Sequence, residues 1–238
     1  LEVIETSMDL IMEEEKDSLT GVTHDLVRRS KNSARIALNL ITDLLDLARL
    51  EGGIKLDFEK FKVDDLIDNV VDAYYLKAKE KNILVHIDRD TSYDIIADYG
   101  RVVQVVSNIL GNALKFTPEE GRIDIRIRTY ETQQVYEGTN LGLELIISDT
   151  GPGIPKNKLA SIFNKFEQAR ENDRKIGTGL GLTIVKNICE LHNGGISVDS
   201  EEGEGAVFTI RLPRLLQSSA QVTESSSRED TSRIIFIA

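Results

Sequence analysis

One cysteine in 238 residues leaves no internal disulfide available. Cys189 falls in an apolar helical pattern, which marks a packed thiol in a chain of reducing surroundings. No apolar run approaches the roughly 20 residues that span a bilayer, and no signal peptide is visible in a sequence that opens at Leu1 within a helical pattern. Positive charge is scarce: 29 Lys and Arg face 40 Asp and Glu, for a net charge of −11. That balance argues against general affinity for nucleic acid or anionic lipid, so an anionic ligand needs cations placed one at a time. Two common phosphate motifs are also missing. There is no Gly-Lys pair and hence no Walker A loop. Gly177, Gly179 and Gly181 are spaced G-x-G-x-G, with Leu182 where a dinucleotide fingerprint needs its third glycine. The run 169–175 before them is polar, not a buried parallel strand.

What is present is a pair of glycine clusters. Asp149-Thr150-Gly151-Pro152-Gly153-Ile154-Pro155 opens a stretch that Gly177-Thr178-Gly179-Leu180-Gly181-Leu182 closes, leading into an apolar-periodic helix. Glycine lets backbone approach a ligand closely, and a glycine turn opening a helix presents free N–H groups to an anion. The two clusters bracketing a polar segment therefore suggest one pocket for a phosphorylated ligand.

The chain is 40% hydrophobic and 29% charged, a globular composition. Residues 1–50 read as two helices with 3-4-3 apolar spacing: Leu1, Ile4, Met8, Ile11, then Ala37, Leu40, Leu44, Leu47. The polar run Glu13–Thr23, with Gly21, suits the turn between them. Two such narrow stripes bury themselves best as a four-helix bundle of two copies; packing onto the rest of the same chain is the alternative. Gly52-Gly53 ends the second helix. Mixed α/β pattern follows: strands over Leu56–Phe61, Ile83–Ile87 and Ile95–Ala97, and a helix over Val63–Lys81. Asp98 is placed to cap a helix running to Phe116. Strands over Arg122–Tyr130 and Leu141–Ser148 flank a loop at Glu137–Gly142. Helices are expected over Lys156–Phe166 and Thr178–His192, then a hairpin of Ile196–Asp199 with Val207–Leu212. The architecture expected is α+β: a helical hairpin, then an α/β sandwich with a mixed sheet covered by helices on one face. Gln217–Glu229 is Ser-rich linker, and Arg233–Ala238 is apolar and β-prone, either a docked strand or the first strand of another domain.

Asn108, Asn112 and Lys115 recur at i, i+4 and i+7, which puts two carboxamides and an ammonium on one helix face. A carboxamide oxygen suits Mg²⁺, which also binds ligand phosphates. A solvated polar stripe is the plainer reading of those three residues alone. Asp149 ends an apolar strand, where its carboxylate can accept from an exocyclic amine such as adenine's; an ordinary turn-initiating Asp is the alternative. Arg174 and Lys175 sit before the second glycine cluster, placed to reach a terminal phosphate from a lid or to lie exposed on a loop.

Taken together, Asn108-x₃-Asn112-Ala113-Leu114-Lys115-Phe116, Asp149-Thr150-Gly151-Pro152-Gly153-Ile154, Ile162-Phe163-Asn164-Lys165-Phe166-Glu167-Gln168 and Gly177-Thr178-Gly179-Leu180-Gly181-Leu182 resemble the N, G1, F and G2 boxes of sensor histidine kinases, in family order. The resemblance covers about residues 1–215 and implies a Bergerat-type (GHKL) ATP-binding domain behind a dimerising hairpin. It implies ATP and Mg²⁺ as cofactors, with Asn108 as metal ligand, Asn112 and Lys115 on phosphate, Phe116 against the nucleotide and Asp149 on the adenine amine. Gly151, Gly153 and Ile154, Arg174 and Lys175, and Gly177, Thr178, Gly179, Leu180 and Gly181 complete the expected nucleotide contacts. Phe163 and Phe166 are expected to pack the lid. Domains are expected at 1–52 (hairpin), 53–215 (catalytic), 216–229 (linker) and 230–238, which resembles the opening of a receiver domain and would mark a hybrid kinase.

The resemblance implies a two-component phosphotransferase, a homodimer through residues 1–50, acting on a response-regulator receiver, with this portion cytoplasmic and touching neither nucleic acid nor membrane. One departure stands out. The family's acceptor histidine lies in a His-[Glu/Asp]-Leu-[Arg/Lys]-x-Pro motif. His24 opens His24-Asp25-Leu26-Val27-Arg28-Arg29, which lacks the proline and lies only 25 residues ahead of Arg49; His86 and His192 fit no better. The acceptor is therefore expected upstream of Leu1. A Bergerat-type ATPase or scaffold without histidine transfer is the rival reading. Mismatch-repair ATPases and heat-shock chaperones share the fold but carry a catalytic Glu where this chain has Gln104.

Overall fold

A computed structural model of the chain describes residues 6–7, 21–89, 92–136, 139–169, 177–213, 215–217 and 233–235. The expected first hairpin helix except Thr6 and Ser7, which are helical, most of the turn after it, the 217–229 linker except Gln217, and the cations Arg174 and Lys175 lie outside the described residues.

Helix α1 spans Gly21–Glu51. No proline interrupts it, and it stops where Gly52 donates back to the Ala48 carbonyl and Gly53 takes a left-handed φ of 82°. Its start corrects the sequence expectation, which put Gly21 in a turn. Strand β1 (Glu59–Lys62) leads into α2 (Val63–Glu80), whose apolar face buries Val63, Leu66, Ile67, Val70 and Val71. Strands β2 (Leu84–Arg89) and β3 (Tyr93–Ala97) follow, then α3 (Tyr99–Phe116). The Asp98 carboxylate accepts the Arg101 N–H at 3.0 Å, the N-cap read from the sequence. Strands β4 (Arg122–Tyr136) and β5 (Thr139–Asp149) form the longest hairpin, then come α4 (Gly181–Leu191), β6 (Gly195–Glu201), β7 (Gly205–Leu212), β8 (Leu215–Gln217) and β9 (Arg233–Ile235).

The large sheet runs β6-β7-β5-β4-β2-β9; the small one runs β1-β3-β8. β2 and β4 pair in parallel and the other described pairs are antiparallel. Period-two alternation in β4 turns Ile123, Ile125 and Ile127 inward, where all are fully buried. Its outward residues form ion pairs, Arg122 with Asp124 and Arg128 with Asp88. Helices α2, α3 and α4 add Ile67, Ile109, Leu110, Ile184 and Ile188 to the same core. This is the mixed-sheet α/β sandwich the pattern called for.

Three local expectations are corrected. Lys156–Phe166 is a run of hydrogen-bonded turns, not an α-helix. Only Ile162→Lys158 has helical spacing there, while the Ser161 hydroxyl competes for the Lys158 carbonyl. The β4–β5 hairpin takes up most of the loop expected at Glu137–Gly142, with Tyr136 paired to Thr139 across a register shift. And α4 begins at Gly181 rather than Thr178, because Gly179 has φ 73° and breaks helical geometry before it.

The α1 stripe divides. Leu47 and Leu50 are buried against the sandwich of the same chain, with Leu40 partly covered, while Leu26, Ile41, Leu44 and Leu45 stay exposed.

Candidate functional site

A cleft of about 450 Å³ opens beside the carboxyl end of β5. Helix α3 forms one wall. Its periodicity buries Val105, Ile109 and Leu110 and so turns Asn108, Asn112 and Lys115 to the cleft. The C-terminus of α3 is held by Lys81, whose Nζ donates to the carbonyls of Leu114, Lys115 and Thr117 at 2.7, 3.1 and 2.9 Å. That clamp fixes the backbone carrying Lys115 and Phe116. The Lys115 ammonium lies 4.3 Å from the Phe116 ring centroid, so this cation is held over an aromatic face at the cleft.

Asp149 forms the far end. Its Oδ1 accepts the Gly151 N–H at 2.8 Å. Burial pushes the carboxyl up from the usual range, opposed by hydrogen bonds from the Gly151 and Ala206 backbone. A desolvated acceptor at the rim of a ligand-sized cleft is poised to take a donor. Backbone packs tightly around it: a Cβ on Gly205 would lie 1.9 Å from the Asp149 carbonyl oxygen, and one on Gly153 would lie 2.1 Å from that of Glu201. Ala113, Ala206 and Phe208 give the space between the two ends an apolar lining.

The stems of the undescribed segment 170–176 are cross-linked. Phe166 N–H donates to the Gly179 carbonyl at 3.0 Å, Gln168 Nε2 to the Gly177 carbonyl at 2.8 Å, and the Thr183 hydroxyl to the Phe163 carbonyl at 3.0 Å. Asn108 Oδ1 lies 3.4 Å from where a Gly181 Cβ would sit, so the carboxamide faces the first residue of α4.

Of the residues expected at the site, Asn108, Asn112, Lys115, Phe116, Asp149, Gly153, Ile154, Gly177, Thr178, Gly179 and Gly181 line one cleft. Two stand behind it. Gly151 carries the N–H that orients Asp149, and Leu180 is fully buried as the residue before α4. Phe163 packs on the core, but Phe166 is exposed, with φ 62°, and its backbone N–H bonds to Gly179.

Sequence reasoning missed the contribution of α1. Asn39 and Asp43 line the same cleft. Asp43 Oδ2 accepts the Thr178 hydroxyl at 2.7 Å. Burial raises the Asp43 carboxyl, partly offset by that hydrogen bond and reinforced by the charge of Asp46. Asp46 in turn accepts from Gln104 at 2.9 Å. Lys81 was missed as well: it belongs to no spacing pattern with its partners, so no local signal marks it. Gln168 closes the F-box match, but no contact was expected of it.

A mixed sheet under one layer of helices, with asparagines, a strand-end Asp and two glycine turns around one cleft, defines a Bergerat-type ATPase fold. Residues 97–216 match the family described as histidine kinase-, DNA gyrase B- and HSP90-like ATPase. The chain is 31% identical over 82% of its length to the circadian input-output histidine kinase CikA of Synechococcus elongatus, covering 26% of that protein. It is 32% identical over 81% of its length to hybrid signal transduction histidine kinase D of Dictyostelium discoideum, covering 12%. Among solved structures, full-length ShkA in complex with AMPPNP superposes with a TM-score of 0.68 at 28% identity, over 91% of this chain and 45% of that one. The chain belongs to this ATPase family, and within it is a sensor histidine kinase catalytic domain. It spans about a quarter or less of these two curated relatives.

Proposed function

We propose that this chain binds Mg²⁺–ATP in the cleft and presents the γ-phosphoryl group to a histidine, as the ATP-binding part of a two-component kinase. The observation that carries this reading is that residues from all four boxes, spread along the chain from Asn108 to Leu182, converge on one cleft of about 450 Å³. The donor set fits the ligand. Asp149 supplies a desolvated acceptor for the adenine amine, and the apolar lining of Ala113, Ala206 and Phe208 suits a base. Asn112, Lys115 and the glycine turn before α4 suit the phosphates. Asn108, a neutral oxygen donor on the same wall, suits a Mg²⁺ ion held jointly with phosphate, and such an ion would neutralise charge on the transferring group.

Arg174 and Lys175 join the phosphate contacts in this reading. The protein's work is positioning and charge neutralisation: an imidazole nitrogen forms a bond to γ-phosphorus as the bond to the β–γ bridging oxygen breaks and ADP leaves. The acceptor is a histidine other than His86 and His192. His86 Nδ1 lies 3.1 Å from Asp124 on the outer face of the sheet, and His192 is buried with both ring nitrogens engaged. The exposed face of Leu26, Ile41, Leu44 and Leu45 is read as the dimer seam of a four-helix bundle. Onward transfer to a receiver Asp and a cytoplasmic setting belong to the same reading; a receiver domain beginning near residue 230 belongs to it only if β9 gives up its pairing with β2. The sequence 1–52 is then the hairpin and 53–215 the catalytic unit.

The test has two arms. Titration with ATP gives saturable, Mg²⁺-dependent binding that Asp149→Asn weakens at least tenfold. Incubation with γ-labelled ATP and a hairpin polypeptide carrying the histidine motif gives an acid-labile, base-stable label. No binding, or label stable to acid, would overturn the reading. The rival reading of an ATPase without histidine transfer needs a base near the phosphates. Gln104 is not one: its carboxamide is spent on Asp46 of α1.

A further inference from the structure

Helix α1 adds a wall to the cleft through two residues one turn apart, Asn39 and Asp43. They differ in what they have left to offer. Asp43 Oδ2 is taken by the Thr178 hydroxyl at 2.7 Å. Asn39 is exposed at the cleft and forms no hydrogen bond among the described residues. Its neighbours fix its place along the cleft. Thr178 sits in the glycine turn, where an added Cβ on Gly177 would lie 2.9 Å from Lys115 Nζ and one on Gly181 would lie 3.4 Å from Asn108 Oδ1. Asp43 is bonded to that turn, and Asn39 stands about 6 Å further along α1 on the same face. Asn39 is therefore at the end of the cleft assigned to phosphate. Positive charge is short there. Among the described lining residues Lys115 is the one cation, against the carboxylates of Asp43, Asp149 and Glu167. A polyphosphate in such a cleft relies on neutral N–H donors as well.

We propose that Asn39 reads the terminal phosphate, its Nδ2 donating a hydrogen bond to an oxygen of the γ-phosphoryl group, a contact that rests on the nucleotide reading above. Ionised phosphate oxygens only accept, so the amide turns its nitrogen to them. Asp43, the other α1 residue at the cleft, has a carboxylate that repels phosphate. ADP lacks the group that Asn39 meets, so the contact separates substrate from product. Asn39 belongs to α1, whereas the base and the inner phosphates are held by the sandwich. ATP thus ties the helix to the sandwich by one more bond than ADP does.

The test titrates ATP, ADP and adenosine with Mg²⁺ into wild type, Asn39→Leu, which keeps the volume and removes the donors, and Asn39→Asp, which puts a charge in their place. Asn32→Leu, two turns nearer the N-terminus on the same face, exposed and outside the cleft, controls for a general effect on α1. Circular dichroism checks that each variant is folded. Asn39→Leu should weaken ATP by roughly five- to tenfold and Asn39→Asp by more, with ADP and adenosine within about twofold of wild type and Asn32→Leu unchanged throughout. Amide exchange over residues 36–43 should slow more with ATP than with ADP in wild type, and equally with the two in Asn39→Leu. ATP and ADP weakened by one common factor, neither weakened, or the same ATP-selective loss in Asn32→Leu would overturn the proposal. Wild type that binds no ATP would instead overturn the nucleotide reading itself.

Discussion

The carboxylate of Asp43 and the hydroxyl of Thr178, 135 residues apart in sequence, meet at 2.7 Å. One belongs to α1, the other to the turn between Gly177 and Gly179, so the long helix is hydrogen-bonded to the backbone that frames the cleft. The contact is one of a row. Asp46 takes Gln104 at 2.9 Å, Glu51 pairs with Lys165 at 2.7 Å, and Leu47 and Leu50 are buried between them. Residues 43, 46, 47, 50 and 51 share one helix face, and that face is docked on the ATP-binding sandwich.

Replacing that carboxylate should therefore act on two properties at once. Asp43→Asn removes a negative charge from the cleft wall and weakens the acceptor for Thr178. Two unit charges roughly 8 Å apart in a partly solvated cleft repel by about 1 kcal/mol or less. ATP should accordingly bind about three- to fivefold more tightly to the variant, with adenosine unaffected. Amide exchange in α1 should quicken around residues 40–51, since a hydrogen bond to a charged group is lost. Unchanged exchange together with unchanged ATP affinity would mean that the contact is incidental.

Asp149 gives a pH dependence of defined sign. Its carboxyl is raised by burial, and the nucleotide reading uses the ionised form as acceptor. As pH falls through the raised value, the group takes up a proton and the acceptor is lost, so nucleotide affinity should fall under mildly acidic conditions. The unliganded fold should respond the other way at this group. Its folded carboxyl binds a proton more tightly than the unfolded chain does, so its cost to stability is full above the folded value and is relieved as pH drops. Calorimetric titration across mildly acidic pH checks the first statement. In Asp149→Asn the acidic loss of affinity should vanish, against a background of affinity lower by roughly 10- to 100-fold.

Cys189 is fully buried on α4, and its thiol is pushed up to about 12, by burial first and by the charge of Glu190 second. A thiol so far above neutral pH carries almost no thiolate, and no reagent reaches it in the native state. Labelling by an aromatic disulfide at pH 8 should therefore be slow in buffer and should accelerate only with urea, in step with loss of secondary structure. Rapid stoichiometric labelling of native protein would contradict the packing of this helix.

The parts of the fold legible in the sequence were those with local rules. The Asp98 cap, the period-two Ile123, Ile125 and Ile127, and the spacing of Asn108, Asn112 and Lys115 each follow from a few neighbouring residues. The parts that were not legible depend on partners far along the chain. The 3-4-3 stripe of α1 announced an apolar face, but not that Leu47 and Leu50 would be taken by the sandwich while Leu44 stayed exposed. The run Lys156–Phe166 had helical spacing, but the Ser161 side chain bonding to the Lys158 carbonyl favoured turns. Lys81 and Asp43 reach the site through bonds to residues 33 or more positions away, which no local spacing encodes.

Glycine positions around the cleft separate two physical demands, backbone angle and space, and alanine substitutions rank them. Gly205 has φ 86° and an added Cβ would meet the Asp149 carbonyl oxygen at 1.9 Å; Gly153 has φ 66° and the corresponding distance to Glu201 is 2.1 Å. Both demands act there against backbone that cannot yield, so Gly205→Ala and Gly153→Ala should each cost about 3 kcal/mol or more. Gly203 has φ 90° but open space around it, so Gly203→Ala should cost only about 1 kcal/mol of backbone strain. Gly195 lacks both constraints, and Gly195→Ala should be neutral within about 0.5 kcal/mol. Urea midpoints at a common slope give the order directly. Because Gly205 and Gly153 hold the strand and loop on either side of Asp149, their variants should also lose nucleotide affinity beyond what the fall in folded fraction explains. Gly203→Ala should lose stability alone. A Gly205→Ala protein as stable as Gly203→Ala would show that the close approach to Asp149 is not what the site requires.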